Sequence, residues 1–148
     1  MTKYQKILLA VDFDNDAMEL LEKYTEICSN SSEGILLNAL DIPVSSYPLI
    51  FPAIGVAAEN YEVSFKSMLK SRKKDLDDLI CDSGVSMTER RVAFGGASDC
   101  IITLAERESA DLIIIGAHGR SGLKRLLGST ASSVLNRARC DVLVVHFD

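Results

Sequence analysis

The stretch DLIIIGAHGRSGLKRLLGST, residues 111–130, joins the two patterns that decide the fold. Its first seven residues are a nearly continuous aliphatic run, which is typical of a strand buried on both faces of a parallel sheet. The remainder is rich in glycine and basic residues and ends in Gly-Ser-Thr, which predicts a turn from a strand into a helix. The residues alone leave two alternatives for this stretch: a phosphate-binding loop, or a turn that binds nothing.

Outward from this stretch, predicted strands and helices alternate along the chain. The strands lie at residues 6–12, 35–41, 86–94, 111–117 and 141–147, and the helices lie near residues 17–28, 60–82, 98–109 and 129–138. A strict β-α alternation indicates a parallel sheet that is covered by helices on both faces. We therefore predict an α/β protein: one doubly wound, Rossmann-like domain over residues 1–148 with five parallel strands. The order 3-2-1-4-5 is our hypothesis for this sheet.

Composition excludes several classes of protein. The chain has 148 residues, of which 47% are hydrophobic and 25% are charged, with a net charge of −5. The acidic balance argues against a nucleic-acid partner. The apolar runs are strand-sized, far below the ~20 residues of a membrane helix, and acidic residues interrupt the N-terminal run too early for a signal peptide. We expect a cytoplasmic protein without a membrane partner.

The cysteines do not form a pattern that predicts a metal site or a disulfide. No CxxC pair occurs, and the four residues are widely separated, at Cys28, Cys81, Cys100 and Cys140. Each lies in or beside an apolar pattern, so we expect most of them to be small buried hydrophobic residues.

No catalytic residue or metal ligand is predicted. His118 and His146 lack an identifiable partner that would orient a catalytic imidazole, so structural or solvated roles are favoured. Asp12, Asp14 and Asp16 alternate as metal ligands do, but a calcium loop needs more ligands and a glycine at fixed spacing. Capping of the first helix by residues 14–16 is the better interpretation, and Ser98 or Asp99 is expected to cap the third helix.

Residues 42–60 hold all three prolines and many apolar residues. Proline at this density argues against a central strand, so we predict a long loop. Its length suggests a function, and its hydrophobicity argues against simple disorder.

A ligand site is predicted where the strand order reverses. In a doubly wound sheet, ligands bind outside the carboxyl ends of the strands at this point. In the order 3-2-1-4-5, it lies between strand one, which ends in residues 10–12, and strand four, which ends at Ile115 and Gly116. The next helix opens at residues 128–130, where its first amides favour an anion, and cationic side chains precede it at Arg120, Lys124 and Arg125. The spacing matches neither a Walker A loop nor the dinucleotide fingerprint.

At this point the chain resembles a known family. The segments KILLAVDFD (6–14) and GGASDCIITLAERESADLIIIGAHGRSGLKRLLGSTASSVLNRARCDVLVV (95–145) are similar to universal stress proteins. The resemblance covers nearly the whole chain and is weakest over residues 42–85. In the nucleotide-binding branch of that family the motif is G-x2-G-x9-G-[ST], and here it is Gly116-x2-Gly119-x8-Gly128-Ser129.

The resemblance implies an ATP site, with Mg²⁺ as a possible companion. Ribose and phosphate contacts would come from Gly116, Gly119, Gly128, Ser129 and Thr130, largely through backbone amides. The resemblance also implies that Ala10, Val11 and Asp12 line the nucleotide, with Asp12 near the ribose or a metal-bridged phosphate. Ala39 would contact adenine, and Ile115 would flank the base.

Two departures from the family pattern keep a second hypothesis open. The spacer has eight residues rather than nine, and the apolar segment 42–60 could cover the nucleotide or take its place. The first hypothesis is an ATP-binding stress-response regulator or sensor with little or no turnover. The second is a nucleotide-free interaction module, and a third is an ATP-hydrolysing or phosphoryl-transferring enzyme.

The last strand suggests an assembly. DVLVVHF, residues 141–147, would be a flat apolar sheet edge, which invites pairing. The resemblance implies a homodimer in which this strand pairs antiparallel with its copy, while any further protein partner is unknown. Phosphorylation of Ser129, Thr130, Ser132 or Ser133 is a further alternative to plain capping by these hydroxyls.

Overall fold

The structure is a computed structural model that describes residues 4–13, 16–41, 57–117 and 127–147, with backbone alone over 57–65. Within these residues, five strands alternate with four helices. The strands are β1 (Lys6–Ala10), β2 (Glu33–Leu40), β3 (Glu89–Phe94), β4 (Leu112–Gly116) and β5 (Asp141–Val145). The helices are α1 (Ala17–Ile27), α2 (Ala57–Ser83), α3 (Ala97–Glu108) and α4 (Ser129–Arg137).

The strands form one parallel sheet in the order β3-β2-β1-β4-β5. The predicted α/β class and the order 3-2-1-4-5 are confirmed. The reversal falls between β1 and β4, where Ala10 lies opposite Ile115. On its other side, β1 pairs with β2, and Ala10 lies opposite Leu37.

Two apolar cores lie on opposite faces of the sheet because side chains alternate along each strand. On one face, the strand residues Ile7, Leu9 and Leu36 pack against Leu20 and Leu21 of α1 and Leu76 of α2. On the other face, the strand residues Leu8, Leu37 and Ile113 pack against Ile101 and Leu104 of α3 and against Ala131 and Val134 of α4. The predicted burial of the fourth strand on both faces is confirmed, since residues 112–115 are all buried.

Several boundaries differ from the predictions. Helix α2 begins at Ala57, so the end of the predicted 42–60 loop is helical, and residues 42–56 lie outside the described part of the chain. The sequence AAEN contains good helix formers, whose propensity had been masked by the preceding prolines. Strand β3 begins at Glu89 rather than at residue 86, and the amide of Thr88, just before it, already donates to the Gly34 carbonyl of neighbouring β2 (2.8 Å).

The predicted side-chain caps are not observed. Asp16 occupies the cap position of α1 without a side-chain hydrogen bond to the helix, and residues 14 and 15 lie outside the described residues. Helix α3 begins two or three residues earlier than a cap at Ser98 or Asp99 requires, with Gly96 at its cap position. The Asp99 carboxylate instead accepts a hydrogen bond from Arg137 of α4 (2.6 Å). Tertiary contact between helices thus takes up a residue that the local pattern assigned to capping.

The cysteines are less buried than predicted. Cys81 is exposed and the other three are partly exposed, and none of the four forms a disulfide. Burial is the main cause that raises the pKa of the Cys100 thiol, and Asp99 and Asp41 add to it. Burial likewise raises the pKa of Cys140, with Asp141 and Asp111 adding to it. Both thiols are therefore held in their protonated, less reactive form at neutral pH.

Candidate nucleotide site at the carboxyl edge of the sheet

The ends of β1 and β4 lie side by side at the carboxyl edge. Ala10 pairs in register with Ile115, so the next residues on each strand, Val11 and Gly116, are neighbours one strand spacing apart. Beyond this point the chain leaves in opposite directions, because α1 packs on one face of the sheet and α4 on the other. This divergence is what opens a crevice at the switch point of a doubly wound sheet.

The glycine-rich stretch is closed at its base by a backbone hydrogen bond. The Gly128 amide donates to the Ala117 carbonyl (2.7 Å), and the Ala117 amide donates to the Val145 carbonyl (2.8 Å). The two ends of the stretch are thereby held together at the edge of the sheet. The start of α4 consequently lies beside the carboxyl end of β4, close to the end of β1.

The first turn of α4 has amides available for an anion. Gly128 is the cap residue, with an extended backbone (φ −61°, ψ 158°) and no side-chain cap. The first intrahelical bond runs from the Ser132 amide to the Gly128 carbonyl (2.9 Å). The amides of Ser129 and Thr130 precede that bond, so the helix supplies no acceptor for them. The first turn contains no acidic residue, so the positive end of the helix dipole is uncompensated there.

The end of β1 is held from two sides. Val11 is 3% exposed, and its amide donates to the Leu37 carbonyl of β2 (2.9 Å). Phe13, two residues on, lies beneath the Arg72 guanidinium of α2, which is 5.2 Å from the ring centroid. Between these two anchored residues, Asp12 is exposed at the carboxyl edge.

Asn38 of β2 is a buried polar residue beside the candidate site, and the sequence analysis did not single it out. It is 3% exposed, and its Nδ2 donates to the Val11 carbonyl (2.8 Å). Its Oδ1 is buried and has no hydrogen-bond partner among the described residues. The signal was available in the sequence: one carboxamide interrupts the apolar strand ILLNAL, one position before the predicted adenine contact Ala39.

The carboxyl edge gathers most of the residues that the sequence predicted for the site. Those described are Ala10, Val11, Asp12, Ala39, Ile115, Gly116, Gly128, Ser129 and Thr130. The side chain of Ile115 is 5% exposed and belongs to the core beneath α3 and α4. Other residues that the sequence placed at the site lie outside the described part of the chain, namely Gly119, Arg120, Lys124 and Arg125, and so does His118, for which no site role was predicted.

The described residues contain neither a membrane-spanning helix nor a cluster of metal ligands. No helix among them is long and apolar enough to cross a membrane. Within the same part of the chain, no group of three or more His, Cys, Asp or Glu side chains is arranged to hold a metal ion. At the switch point, the described residues include the first backbone amides of α4 and the exposed carboxylate of Asp12.

Comparison with known proteins agrees with this fold. The model of the universal stress protein family matches residues 3–146. The chain belongs to the universal stress protein family. The resemblance seen in the N- and C-terminal segments thus extends over nearly the whole chain.

Individual relatives support the same assignment. Universal stress protein A homolog 2 of Coxiella burnetii is 35% identical over 148 residues, covering 99% of this chain and 97% of that protein. A universal stress protein of Methanocaldococcus jannaschii is 31% identical over 159 residues, covering 96% and 94%. Its solved structure has a TM-score of 0.76 at 27% identity, covering 96% of this chain and 95% of that one.

A further structural relative carries a ligand. It is a universal stress protein solved in complex with cAMP, with a TM-score of 0.63 at 25% identity. The match covers 97% of each chain.

Proposed function

We propose that this universal stress protein is a cytoplasmic, ATP-binding regulator of the stress response with little or no turnover. The observation that carries the proposal is the bond from the Gly128 amide to the Ala117 carbonyl. It brings the amino end of α4 to the reversal of strand order, beside the carboxyl end of β1. A helix N-terminus at that point suits a phosphate chain.

In this proposal, different residues contact the phosphates, the ribose and the base. Gly116, Gly128, Ser129 and Thr130, together with Gly119 and Arg120, hold the phosphates and ribose, mainly through amides. Asp12 faces the ribose or a Mg²⁺ ion bound to the phosphates. The backbones of residues 10–11, 39 and 115 lie along the base, since the Val11 and Ile115 side chains are buried in the core. The relative in complex with cAMP supports an adenine nucleotide as the class of ligand.

The first test asks whether the protein carries a nucleotide. Untagged protein is purified, denatured with acid, and the supernatant is separated by anion exchange with mass detection. ATP or ADP at a near-equal molar ratio supports the proposal. An empty supernatant, with no heat of binding for added ATP and Mg²⁺ by calorimetry, overturns it and favours the nucleotide-free interaction module. ADP appearing from ATP in an Asp12-dependent manner would instead indicate an enzyme.

The second test locates the site. Gly128→Val and Gly116→Val add side chains where the backbone must approach the phosphates, so we expect ATP affinity to fall more than tenfold in each variant. The backbone of Gly128 suits any residue, so the fold survives. Gly96→Val is the matched control: it is the cap of α3, has a similar backbone (φ −58°, ψ 130°) and lies at the end of edge strand β3. Full ATP affinity in both site variants would contradict the site.

We also propose a homodimer through the last strand, Asp141–Phe147. Two features support it: β5 is an edge of the described sheet, and Val142, Leu143 and Val144 are only partly buried. The Val145 carbonyl bonds to β4. In a parallel pair both backbone groups of one residue face the same side, so those of Val144 face outward, toward the second copy.

The dimer has a direct test. Val144→Pro removes an outward-facing amide, and edge strands tolerate proline there. We expect light scattering to show a monomer with its fold retained by circular dichroism. Leu143→Pro is the comparison, since it removes an amide that faces β4 and therefore destabilises the sheet itself. A dimer that persists in Val144→Pro would rule out this interface.

A further inference from the structure

Among the described residues, Asn38 is the one buried polar side chain in the core apart from the hydroxyl of the aromatic Tyr24. Alternation along β2 places it on the same face as Leu36, which packs in the apolar cluster beneath α1 and α2. Val11 belongs to that same cluster. A carboxamide at such a position calls for an explanation, because most core positions of this sheet hold aliphatic side chains.

The Asn38 side chain is only half satisfied. Nδ2 donates to the Val11 carbonyl at 2.8 Å, whereas Oδ1 is buried and has no donor among the residues that the structure describes. This bond also fixes which end of the amide faces Val11, because the reverse orientation would set two acceptors against each other. A buried acceptor without a partner destabilises the folded state and offsets what the single bond contributes. Stability alone therefore does not account for the choice of asparagine.

The bond acts on the peptide that carries the site. Val11 is held to β2 by its amide, through Leu37, and by its carbonyl, through Asn38. The carbonyl of Val11 and the amide of Asp12 belong to one planar peptide unit. Fixing that carbonyl therefore fixes the direction in which Asp12 leaves the sheet, and the contact between Phe13 and Arg72 restrains the far side.

We propose that Asn38 is a positioning residue for the nucleotide site. Its carboxamide orients the peptide between Val11 and Asp12 so that Asp12 faces the ligand. The unpartnered Oδ1 that results lowers the stability of the fold. Residues that serve a site commonly lower the stability of the domain that carries them. This inference rests on the proposed nucleotide binding and names a residue outside the family's glycine motif.

The test separates positioning from a structural role. Asn38→Leu keeps the branched shape and removes both the bond to Val11 and the unpartnered oxygen. We expect ATP affinity to fall about tenfold while the Tm is unchanged or a few degrees higher. Asn38→Ala is the second variant, in case leucine overfills the position, and the same loss of affinity is expected with a modest change of Tm.

Gly34→Ala is the matched control in the same strand. It lies at the opposite end of β2 and is expected to lower the Tm without changing ATP affinity. Wild-type affinity in both Asn38 variants overturns the inference, even if wild-type protein binds ATP well. A fall in affinity that tracks the Tm in all three variants also overturns it, since that marks a structural role. If wild-type protein binds no ATP, the proposed function itself fails.

Discussion

The two ends of the sheet are held together by different kinds of contact. At the amino end, charged and hydroxyl side chains tie neighbouring strands together: the Asp111 carboxylate accepts the amides of Gln5 (2.8 Å) and Lys6 (3.0 Å), and Lys6 pairs with Glu33 (3.2 Å). At the carboxyl end, the described residues around the switch point include Ala10, Gly116, Ala117 and Gly128, and backbone hydrogen bonds predominate there, with the bond from the Asn38 side chain to Val11 as an exception. At the amino end, side-chain contacts stabilise the fold, whereas at the carboxyl end backbone groups remain available to a ligand.

This division follows from parallel topology. All five strands run in the same direction, so every strand start is at one edge and every strand end at the other. Helix N-termini follow the strand ends, which puts their anion-binding amides on the carboxyl edge. We therefore expect amino-end variants to change stability without changing ATP affinity, and carboxyl-end variants such as Gly128→Val to do the reverse.

The largest expected effect at the amino end is that of Gly34→Ala. An added Cβ would meet the Tyr24 hydroxyl, with Tyr24 Cζ 2.7 Å and Met87 Cε 3.0 Å away. Tyr24 is 2% exposed on α1 and has little room to move. We expect a loss of about 2 kcal/mol in the free energy of unfolding, measured with urea.

Gly84→Ala is the comparison for that variant. Its φ of +67° strains any other residue, but open space surrounds it, so a loss of about 1 kcal/mol is expected. A Gly34→Ala protein as stable as the wild type would show that Tyr24 and α1 can shift to accommodate the added Cβ. The packing at the amino end would then be less rigid than its contacts indicate.

The next effect is that of Asp111→Ala. The change removes the acceptor of two backbone amides that begin β1, and these groups are partly accessible to water. We expect the free energy of unfolding to fall by about 1 to 2 kcal/mol, with ATP affinity unchanged. Asp111→Asn keeps one carbonyl oxygen and should lose less. Equal losses in the two variants would mean that the charge matters rather than the hydrogen bonds.

Alkaline pH should lower the free energy of unfolding through Tyr24, which lies at the same end of the sheet. Burial, with Cys28 adding to it, raises the pKa of Tyr24 from 10.0 to about 12. The folded state holds the proton more tightly, so its stabilising effect is complete below pH 10 and is lost as the pH rises from 10 toward 12. The loss is on the order of 1 kcal/mol at pH 11. Between pH 9 and pH 11, the Tm should fall more steeply with pH in the wild type than in Tyr24→Phe. Equal falls of the Tm in the two proteins would refute this.

The smallest expected effect is that of Glu108→Gln. The Glu108 carboxylate lies 3.6 Å from Arg91, 3.6 Å from Arg107 and 4.0 Å from Lys6. Ion pairs that water reaches contribute little, so we expect a loss of about 0.5 kcal/mol. The difference from wild type should shrink in 1 M salt, where charges are screened. A loss that survives high salt would indicate packing rather than charge.

Much of the fold was predictable because its signals are local. The aliphatic run of β4, the glycines after it and the β-α alternation each depend on a few adjacent residues, and they indicated the five parallel strands and the glycine-rich stretch. The start of α2 was predicted three residues late because prolines obscured a good helix-forming run. The caps assigned to Ser98 or Asp99 failed because Asp99 pairs with Arg137, 38 positions away.

By itself the sequence determined the α/β class, the five strands, and the glycine-rich stretch as the candidate site, since hydrophobic period and turn residues act over short range. The strand order is established by the tertiary structure. Tertiary structure alone decided how that site is held. The bond between Asn38 and Val11 joins residues 27 positions apart, and the bond between Lys6 and Asp111 joins residues 105 apart. No local pattern contains such pairs, because they exist only once the parallel sheet has set strand ends side by side.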